Sequence, residues 1–308
     1  MKINKLVFFN HYRNGDCFIN RNYVRDIIDQ IGIDQVYYAH NNHTTITQDL
    51  PVTHIRTDNL GSKIHQAIKI GYDQQENTLY INTWVGATVP KYFNWGQHAN
   101  FIILEKIWQE YYQALGLEFR GDYTNYLPGM NFDKYDLTIV NHWLDHNSHR
   151  PFILVCNGQQ QSDQSDLGNM ENIIPVIAEK YPDRIFLVCD KLKFVRENVY
   201  YADDIFNSPV GNLPYITYLS QYADIIVGKN SGPFSFSHLD KNLNNPNKTF
   251  LCFSKDFKSC LTGEGIYYAR TLFSDQISDS IVTKIIEKVI NMGKQPGTNR
   301  PAGMQRIQ

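Results

Sequence analysis

Residues 222–238 read YADIIVGKNSGPFSFSH, and this stretch decides how the rest of the chain is interpreted. Residues 223–227 form a short apolar run rich in β-branched side chains, which is typical of a buried strand. The run ends at Gly228, and an apolar pattern resumes after residues 230–233, so the stretch predicts a strand, a tight loop and a helix. Loops of this kind also occur as ordinary turns in α/β domains, and the remaining sequence has to decide between a structural turn and a ligand site.

The loop between the predicted strand and helix has the composition of an anion-binding turn. Gly232 lets a ligand approach the backbone closely, and Pro233 suits the first helical turn. Ser231 can cap the helix or donate a hydrogen bond to an oxygen. Free backbone N–H groups and the positive end of the helix dipole would then point at one place, where a phosphate or a pyrophosphate fits.

Composition and charge restrict the class of protein. The chain has 308 residues, of which 42% are hydrophobic, so it can bury a large core and two domains are expected. The net charge of -2 argues against the broad basic surface of a nucleic-acid binder. We find no signal peptide and no apolar run near the ~20 residues that cross a bilayer, which predicts a cytoplasmic protein and leaves a peripheral membrane contact open. The five cysteines have no metal-type spacing, which favours buried free thiols (Cys17, Cys156, Cys189, Cys252, Cys260).

Strand-like and helix-like runs alternate in both halves of the chain, which predicts an α/β fold with parallel sheets. The break between the halves is expected near residues 145–151, giving domains 1–147 and 148–292 and a flexible tail at 293–308. In the first half, strands are expected at residues 5–10, 35–39 and 78–85, and helices at about 16–31 and 100–115. In the second half, strands are expected at 152–156, 184–189, 224–227 and 249–253, and helices at 170–180, 214–222, from 233, and at 278–292.

Three short stretches resemble the heptosyltransferase-like glycosyltransferases of family nine. Residues 13–16, Arg-Asn-Gly-Asp, are similar to the first loop of that family, and residues 212–233 with His238 resemble its helix, strand and DSGP…H loop. Residues 152–158 resemble the start of its donor domain. The sequence differs from the family at Asn230, where Asp or Thr is usual, and at residues 159–163, where a basic residue followed by Trp is usual. The resemblance implies the GT-B fold, in which two Rossmann-like domains face a central cleft.

The resemblance also implies where the chemistry takes place. In an inverting sugar transfer, the acceptor hydroxyl loses a proton as it attacks, and the departing nucleotide diphosphate needs N–H donors or cations. The family's catalytic carboxylate corresponds to Asp16, which could instead be an N-capping residue with a purely structural role. Acceptor contacts are expected from His11 and Arg13 and from Trp95 in an aromatic loop. Donor contacts are expected from Asn157, Gly158, Lys191, Asn230, Ser231, Gly232, Pro233 and His238.

The predicted function is transfer of a sugar from a nucleotide-diphosphate-sugar to a glycan or a lipid-linked glycan, and two alternatives remain open. The first is a nucleotide-sugar epimerase, and the second is a binding protein that kept the fold without catalysis. No cofactor or metal is expected with the GT-B fold. His142, His146 and His149 have a spacing that can bind zinc, but their polar surroundings favour a solvated helix.

Overall fold

A computed structural model describes residues 3–64, 68–84, 86, 100–158, 168–206, 212–229, 232–293 and 300–308. The chain divides into two compact units. Unit 1 comprises Met1–Trp95 and Ile102–Tyr135, and unit 2 comprises Gly96–Phe101 and Asp136–Gln308.

Unit 1 is built around a five-stranded sheet in which β4 alone runs antiparallel to its neighbour. The strands are β1 (Lys5–Phe9), β2 (Val36–Ala39), β3 (Thr53–Ile55), β4 (Ile70–Asp73) and β5 (Thr78–Asn82), in the order β3-β2-β1-β5-β4. The α-helices are α1 (Asn14–Ile19), α2 (Arg21–Ile31) and α3 (Phe101–Leu115), and short 3₁₀ helices lie at Thr44–Thr47, Thr57–Lys63, Tyr123–Tyr126 and Phe132–Lys134.

Aromatic rings form much of the core of unit 1. The ring of Tyr23 stacks on Trp108, with 5.0 Å between centroids, and on Tyr126, with 4.4 Å between centroids. Both Tyr23 and Trp108 are fully buried, because the apolar faces of α2 and α3 turn inward at the helical spacing seen in the sequence. Gly32 ends α2 in a left-handed conformation, as its position after the last apolar residue predicts.

Unit 2 contains a seven-stranded parallel sheet in the order β14-β12-β10-β9-β6-β7-β8. The first helix, α4, spans Thr138–Asn147. The strands are β6 (Phe152–Cys156), β7 (Ile185–Val188), β8 (Val199–Tyr201), β9 (Ile225–Lys229), β10 (Thr249–Phe253), β11 (Ile266–Tyr267), β12 (Arg270–Ser274), β13 (Ala302–Gly303) and β14 (Gln305–Arg306). The other helices are α5 (Met170–Lys180), α6 (Ala202–Phe206), α7 (Leu213–Ser220), α8 (Gly232–Phe236), α9 (Asp240–Leu243), α10 (Asp279–Asn291) and a 3₁₀ turn at Phe257–Ser259.

Close packing at the centre of this sheet requires Gly228. A Cβ atom at that position would lie 2.6 Å from Cδ2 of Phe234 and 2.8 Å from Cβ of Cys156. These distances are too short for real atoms, so only glycine lets β9 pass between β6 and α8. The strand order and the parallel pairing in both units confirm the predicted α/β fold. All five cysteines are buried free thiols, as the sequence predicts.

A buried lysine holds the end of α7 in unit 2. The Nζ atom of Lys248 donates to the carbonyl oxygens of Ser220 at 2.8 Å, Gln221 at 2.8 Å and Ala223 at 2.6 Å. The last carbonyls of a helix have no partner within the helix, and this ammonium group supplies one. Burial lowers the pKa of Lys248 to about 8, and the charge of Asp224 opposes that change.

The prediction of a flexible tail at 293–308 is wrong for its described part. Strand β14 pairs with β12 in the large sheet, and β13 pairs with β11. Ile307 is buried, and its backbone N–H donates to the carbonyl of Phe273 at 2.9 Å. The polar sequence gave no apolar pattern, but strand pairing satisfies the backbone groups and one isoleucine anchors the segment.

The boundary between the units also differs from the prediction, because it lies before Asp136 and α4 belongs to unit 2. Trp143 of α4 contacts Tyr200 and Phe152 edge to face, with centroid distances of 5.4 and 6.0 Å. The hydroxyl of Tyr218 also donates to Asn141. No helix in the described ranges combines the length and apolar character needed to cross a bilayer.

Candidate functional site

The sheet of unit 1 has its topological switch point between β1 and β5. From β1 the chain goes to β2 and β3 on one side, and β5 and β4 lie on the other side. In open α/β sheets, ligands bind outside the carboxyl ends of the strands at such a point. The segments that follow β1 and β5, which carry Asp16 and Trp84, are therefore the first candidate site.

Asp16 lies in the first turn of α1, directly after β1. It is the third residue of the helix, and the N-cap position belongs to Arg13, whose side chain makes no capping hydrogen bond. The backbone N–H of Asp16 donates to the carbonyl of Arg13 at 3.1 Å. The structure therefore does not use Asp16 as the N-cap that the alternative interpretation required.

The surroundings of Asp16 change its acidity. Burial raises the pKa of the Asp16 carboxyl to about 7, and backbone hydrogen bonds from Arg13 and Asp16 only partly oppose this. Near a helix N-terminus the dipole would favour the ionised carboxylate, but a pKa of about 7 leaves only about half of it ionised at neutral pH. A helix of six residues provides a weak dipole, so desolvation dominates. A carboxyl with a pKa near the working pH is well suited to accept and return a proton.

Asn20 fixes the position of the turn that carries Asp16. Its Nδ2 atom donates to the carbonyls of Asp16 at 2.6 Å and Thr83 at 2.8 Å, and its Oδ1 accepts from Nε1 of Trp108 at 2.6 Å. One buried amide thus joins α1, the end of β5 and α3. No sequence pattern predicts this role, because an asparagine between two helical segments has the pattern of a simple turn.

Two of the three residues predicted to contact the acceptor, His11 and Arg13, lie near the carboxyl edge of the unit 1 sheet. His11 follows β1 at the sheet edge and packs edge to face on Phe9, with 5.6 Å between centroids. Arg13 is exposed beside Asp16. Trp95 lies outside the described residues. The structure instead places Trp84 at this edge, with its indole stacked on the ring of Tyr12.

The sheet of unit 2 has its switch point between β6 and β9. Strands β7 and β8 extend from β6 on one side, and β10, β12 and β14 extend from β9 on the other. Gly158 follows β6, and Pro233 lies in the segment after β9. A Cβ atom at Gly158 would lie 3.3 Å from Cγ of Pro233 and 3.6 Å from Oδ1 of Asp190. The glycine therefore lets three strand-end loops meet at the place where ligands bind in such sheets.

Gly232 has open space around it, whereas Gly228 is closely packed. A Cβ atom at Gly232 would have Leu213 as its nearest neighbour, at 3.8 Å. Its φ is not in the left-handed region, so the protein itself does not require glycine here. Asn230 and Ser231 lie outside the described residues. The helix predicted from residue 233 is present as α8, but it ends at Phe236 and contributes only a weak dipole.

Asn157 has a structural function at the same edge. Its Nδ2 donates to the carbonyl of Asp190 at 2.9 Å, and its Oδ1 accepts from the N–H of Asp190 at 2.8 Å. This pair of bonds joins the loops after β6 and β7 and uses the amide that was predicted to contact the donor. Because both amide atoms already have partners, a role for Asn157 in donor binding would be indirect.

Lys191 faces a cavity beside the edge strand β8. Its Nζ pairs with Oδ1 of Asp204 at 2.6 Å, and both side chains are exposed, so this ion pair adds little stability. The cavity has a volume of about 460 Å³ and is lined mainly by residues of α4, β8 and α6, including Trp143 and Tyr200.

His238 is predicted to contact the donor, but it is buried with 0% exposure. Its ring lies 4.7 Å from those of Phe234 and Phe250, and its Nδ1 donates to the carbonyl of Phe234 at 2.7 Å. Desolvation lowers the pKa of His238 to about 4, so the ring is neutral. The structure therefore contradicts a direct contact, because the chain between α8 and α9 turns this side chain into the core.

The three histidines near the start of unit 2 do not form a metal site in this structure. The rings of His142 and His146 lie 4.5 Å apart, and Nδ1 of His146 donates to the carbonyl of His142 at 2.7 Å. Within the described ranges, no group of three or more His, Cys, Asp or Glu side chains could hold a metal ion.

Comparison with known proteins addresses the fold. No protein-family model matches the sequence, and no curated protein matches it either. Among solved structures, the chain is similar to a family 9 glycosyl transferase from Veillonella parvula, with 9% identity, 96% of this chain and 94% of that chain covered, and a TM-score of 0.52. This likeness confirms the predicted two-domain, Rossmann-like fold.

Two further solved structures are similar to the chain with lower TM-scores. The heptosyltransferase WaaC of E. coli with ADP-2-deoxy-2-fluoro heptose is 10% identical, with 92% of this chain and 99% of that chain covered and a TM-score of 0.49. A UDP-GlcNAc 2-epimerase from Neisseria meningitidis bound to UDP-GlcNAc is 12% identical, with 93% and 91% covered and a TM-score of 0.36.

Proposed function

We propose that the protein is a glycosyltransferase that moves a sugar from a nucleotide-diphosphate-sugar donor to a hydroxyl of a glycan or a lipid-linked glycan. Unit 1 binds the acceptor and supplies Asp16 as the general base. Unit 2 binds the donor at the turn that contains Gly232 and Pro233. Transfer takes place in one displacement, with inversion at the anomeric carbon.

The position of Asp16 carries this proposal. A partly exposed carboxyl stands at the switch point of an α/β sheet, in a fold similar to that of a family-nine glycosyl transferase. With a pKa of about 7, the carboxyl is about half ionised at neutral pH, so the base form is available. Its conjugate acid is also weak enough to hold the proton that the acceptor hydroxyl releases. General-base assistance of this kind contributes about 10²- to 10⁴-fold in rate.

The loops at the switch point of unit 2 support the donor site. The nucleotide diphosphate leaves with additional negative charge, and backbone N–H groups can stabilise that charge without reorganising. Gly232 leaves the approach to the backbone open, as the nearest side chain to its absent Cβ is 3.8 Å away. We propose that the transfer needs no metal ion and that the protein works in the cytoplasm.

Nucleotide binding tests the donor site first. Thermal unfolding of the full chain should shift upward with a nucleoside diphosphate, because a ligand that binds only the folded state stabilises it. Gly232→Val should abolish this shift while the far-UV circular dichroism stays unchanged. Gly303→Val is the matched control, because an added Cβ there also has its nearest neighbour at 3.8 Å, the carbonyl oxygen of Gly265. Unchanged nucleotide affinity in a folded Gly232→Val variant would refute the site.

Turnover tests the base. Asp16→Asn should reduce transfer about 10²- to 10⁴-fold while nucleotide affinity stays the same, since the donor binds unit 2. Excess EDTA should leave turnover unchanged. Near-wild-type turnover in Asp16→Asn would remove this residue from the mechanism. Without an acceptor, conversion of the nucleotide-sugar to its epimer would favour an epimerase instead, and release of free monosaccharide would favour a hydrolase.

A further inference from the structure

A stacked pair of aromatic rings lies at the carboxyl edge of the unit 1 sheet. The rings of Tyr12 and Trp84 are parallel within 7°, with 4.6 Å between their centroids. Tyr12 follows β1 and Trp84 follows β5, so the pair spans the two strands of the switch point. Tyr12 is 46% exposed, so part of the stacked pair is open to solvent.

Asparagine side chains hold both aromatic residues in place. Asn10 accepts from the backbone N–H of Tyr12 at 2.7 Å, and Asn82 accepts from the backbone N–H of Trp84 at 2.9 Å. Asn42 donates to the carbonyl of Tyr12 at 3.1 Å. These bonds hold the backbone of the pair, and stacking on Trp84 orients the exposed ring, so binding to it costs little conformational entropy.

Polar groups that suit hydroxyl ligands are located in the same turn. Asp16 offers a carboxyl, and Arg13 offers an exposed guanidinium group. The Oδ1 atom of Asn14 is buried and has no hydrogen-bond partner among the described residues. An unsatisfied buried acceptor costs free energy, and a hydroxyl donor from a ligand would satisfy it.

We propose that the Tyr12–Trp84 pair is a stacking platform for a pyranose ring. A pyranose has apolar C–H faces and a rim of hydroxyl groups, which matches a fixed aromatic face beside a carboxyl, an amide oxygen and a guanidinium group. The identification of this sugar as part of the acceptor depends on the proposed function. Binding of a sugar at the platform does not depend on it.

Saturation-transfer NMR with the full chain tests the platform. The probes are methyl α-D-mannopyranoside, methyl β-D-glucopyranoside and methyl β-D-galactopyranoside. Irradiation of aromatic protons should saturate the ring C–H protons of at least one probe. Tyr12→Ala and Trp84→Ala should each weaken that binding about tenfold, the equivalent of one aromatic contact. Tyr12→Phe should retain it, because the ring face and not the hydroxyl makes the contact.

Tyr222→Ala is the matched control, because Tyr222 is also 46% exposed but lies in unit 2. Its binding of the probes should equal that of the wild type. The proposal is overturned if no probe binds, if the two alanine variants bind normally, or if Tyr12→Phe loses binding as Tyr12→Ala does. Displacement of the bound probe by uridine or adenosine would also overturn it, since it would assign the aromatic face to a base.

The same samples separate this proposal from the proposed function. If a pyranoside binds in a Tyr12-dependent way while no nucleoside diphosphate binds, the platform is supported and the transferase proposal fails. If a nucleoside diphosphate binds and no pyranoside does, the platform fails and the transferase proposal stands.

Discussion

Replacement of Asp16 by asparagine should stabilise the protein, and the gain should grow with pH. The folded pKa of Asp16 is about 7, well above its ordinary value of 3.8. Between these values the folded state holds a proton that the unfolded state releases, so the contribution of Asp16 to stability falls as pH rises. At high pH the folded chain carries a desolvated carboxylate, and asparagine of nearly equal shape removes that cost.

The magnitude follows from the pKa difference. One pKa unit corresponds to about 1.4 kcal/mol, so the full cost above pH 7 is about 4 kcal/mol, reduced by the partial exposure of the side chain. Between pH 5.5 and pH 8, the advantage of Asp16→Asn over wild type should increase by about 2 kcal/mol. In thermal unfolding this is an increase of roughly 4–8 °C in the difference between the two Tm values.

Circular dichroism melts of both proteins at pH 5.5 and pH 8 measure this difference. Asp29→Asn is the control, because it makes the same change of carboxyl to amide at an exposed position of α2, where no desolvated group is relieved. An Asp16→Asn advantage that is equal at both pH values would contradict the raised pKa. The same variant should lose turnover if Asp16 is the base. Catalytic groups often lower the stability of the folded protein in this way.

Three further substitutions, with Gly232→Ala as a control, test the packing of unit 2, each measured as the change in Tm against wild type. Gly228→Ala should destabilise the protein by about 1–3 kcal/mol, because the new methyl group has no room, whereas Gly232→Ala should leave Tm unchanged. Lys248→Met should cost about 1–3 kcal/mol, because it leaves the buried carbonyl oxygens at the end of α7 without their donor, and an unchanged Tm would argue against this cap. Ile307→Ala should cost about 2–3 kcal/mol, and a Tm equal to that of wild type would show that burial of the Ile307 side chain does not contribute to stability.

The sequence predicts those elements of the fold whose apolar pattern is continuous. Strands β6 and β10 and helix α5 have the predicted bounds, because every residue of each strand is buried and α5 has one apolar face. Strand β12 was missed, because Arg270 and Thr271 begin it and its residues gave no clear run. Strand β14 has two polar residues and exists only because β12 offers backbone partners, which is a tertiary effect.

The sequence predicts where the candidate site lies better than it predicts what each residue of the site does. Asp16 follows β1 and Gly232 follows β9, so each lies at the switch point of its own sheet, where the sequence predicts a ligand site. The acidity of Asp16 depends on atoms brought close by distant segments, so no local pattern could give it. The same holds for His238 and Asn157, whose side chains are used by the core and by a neighbouring loop.

The buried tryptophan in the core of unit 1 allows unfolding of that unit to be followed by intrinsic fluorescence. Trp108 is fully buried against Tyr23, whereas Trp143 is a partly exposed indole in unit 2. The emission of a buried indole moves to longer wavelength when water reaches it, so each tryptophan records the opening of its own unit. With the other tryptophans changed to phenylalanine, Trp108 and Trp143 can be followed separately during denaturation. Coincident transitions would show that the two units melt as one cooperative body, and separated transitions would show that they melt independently.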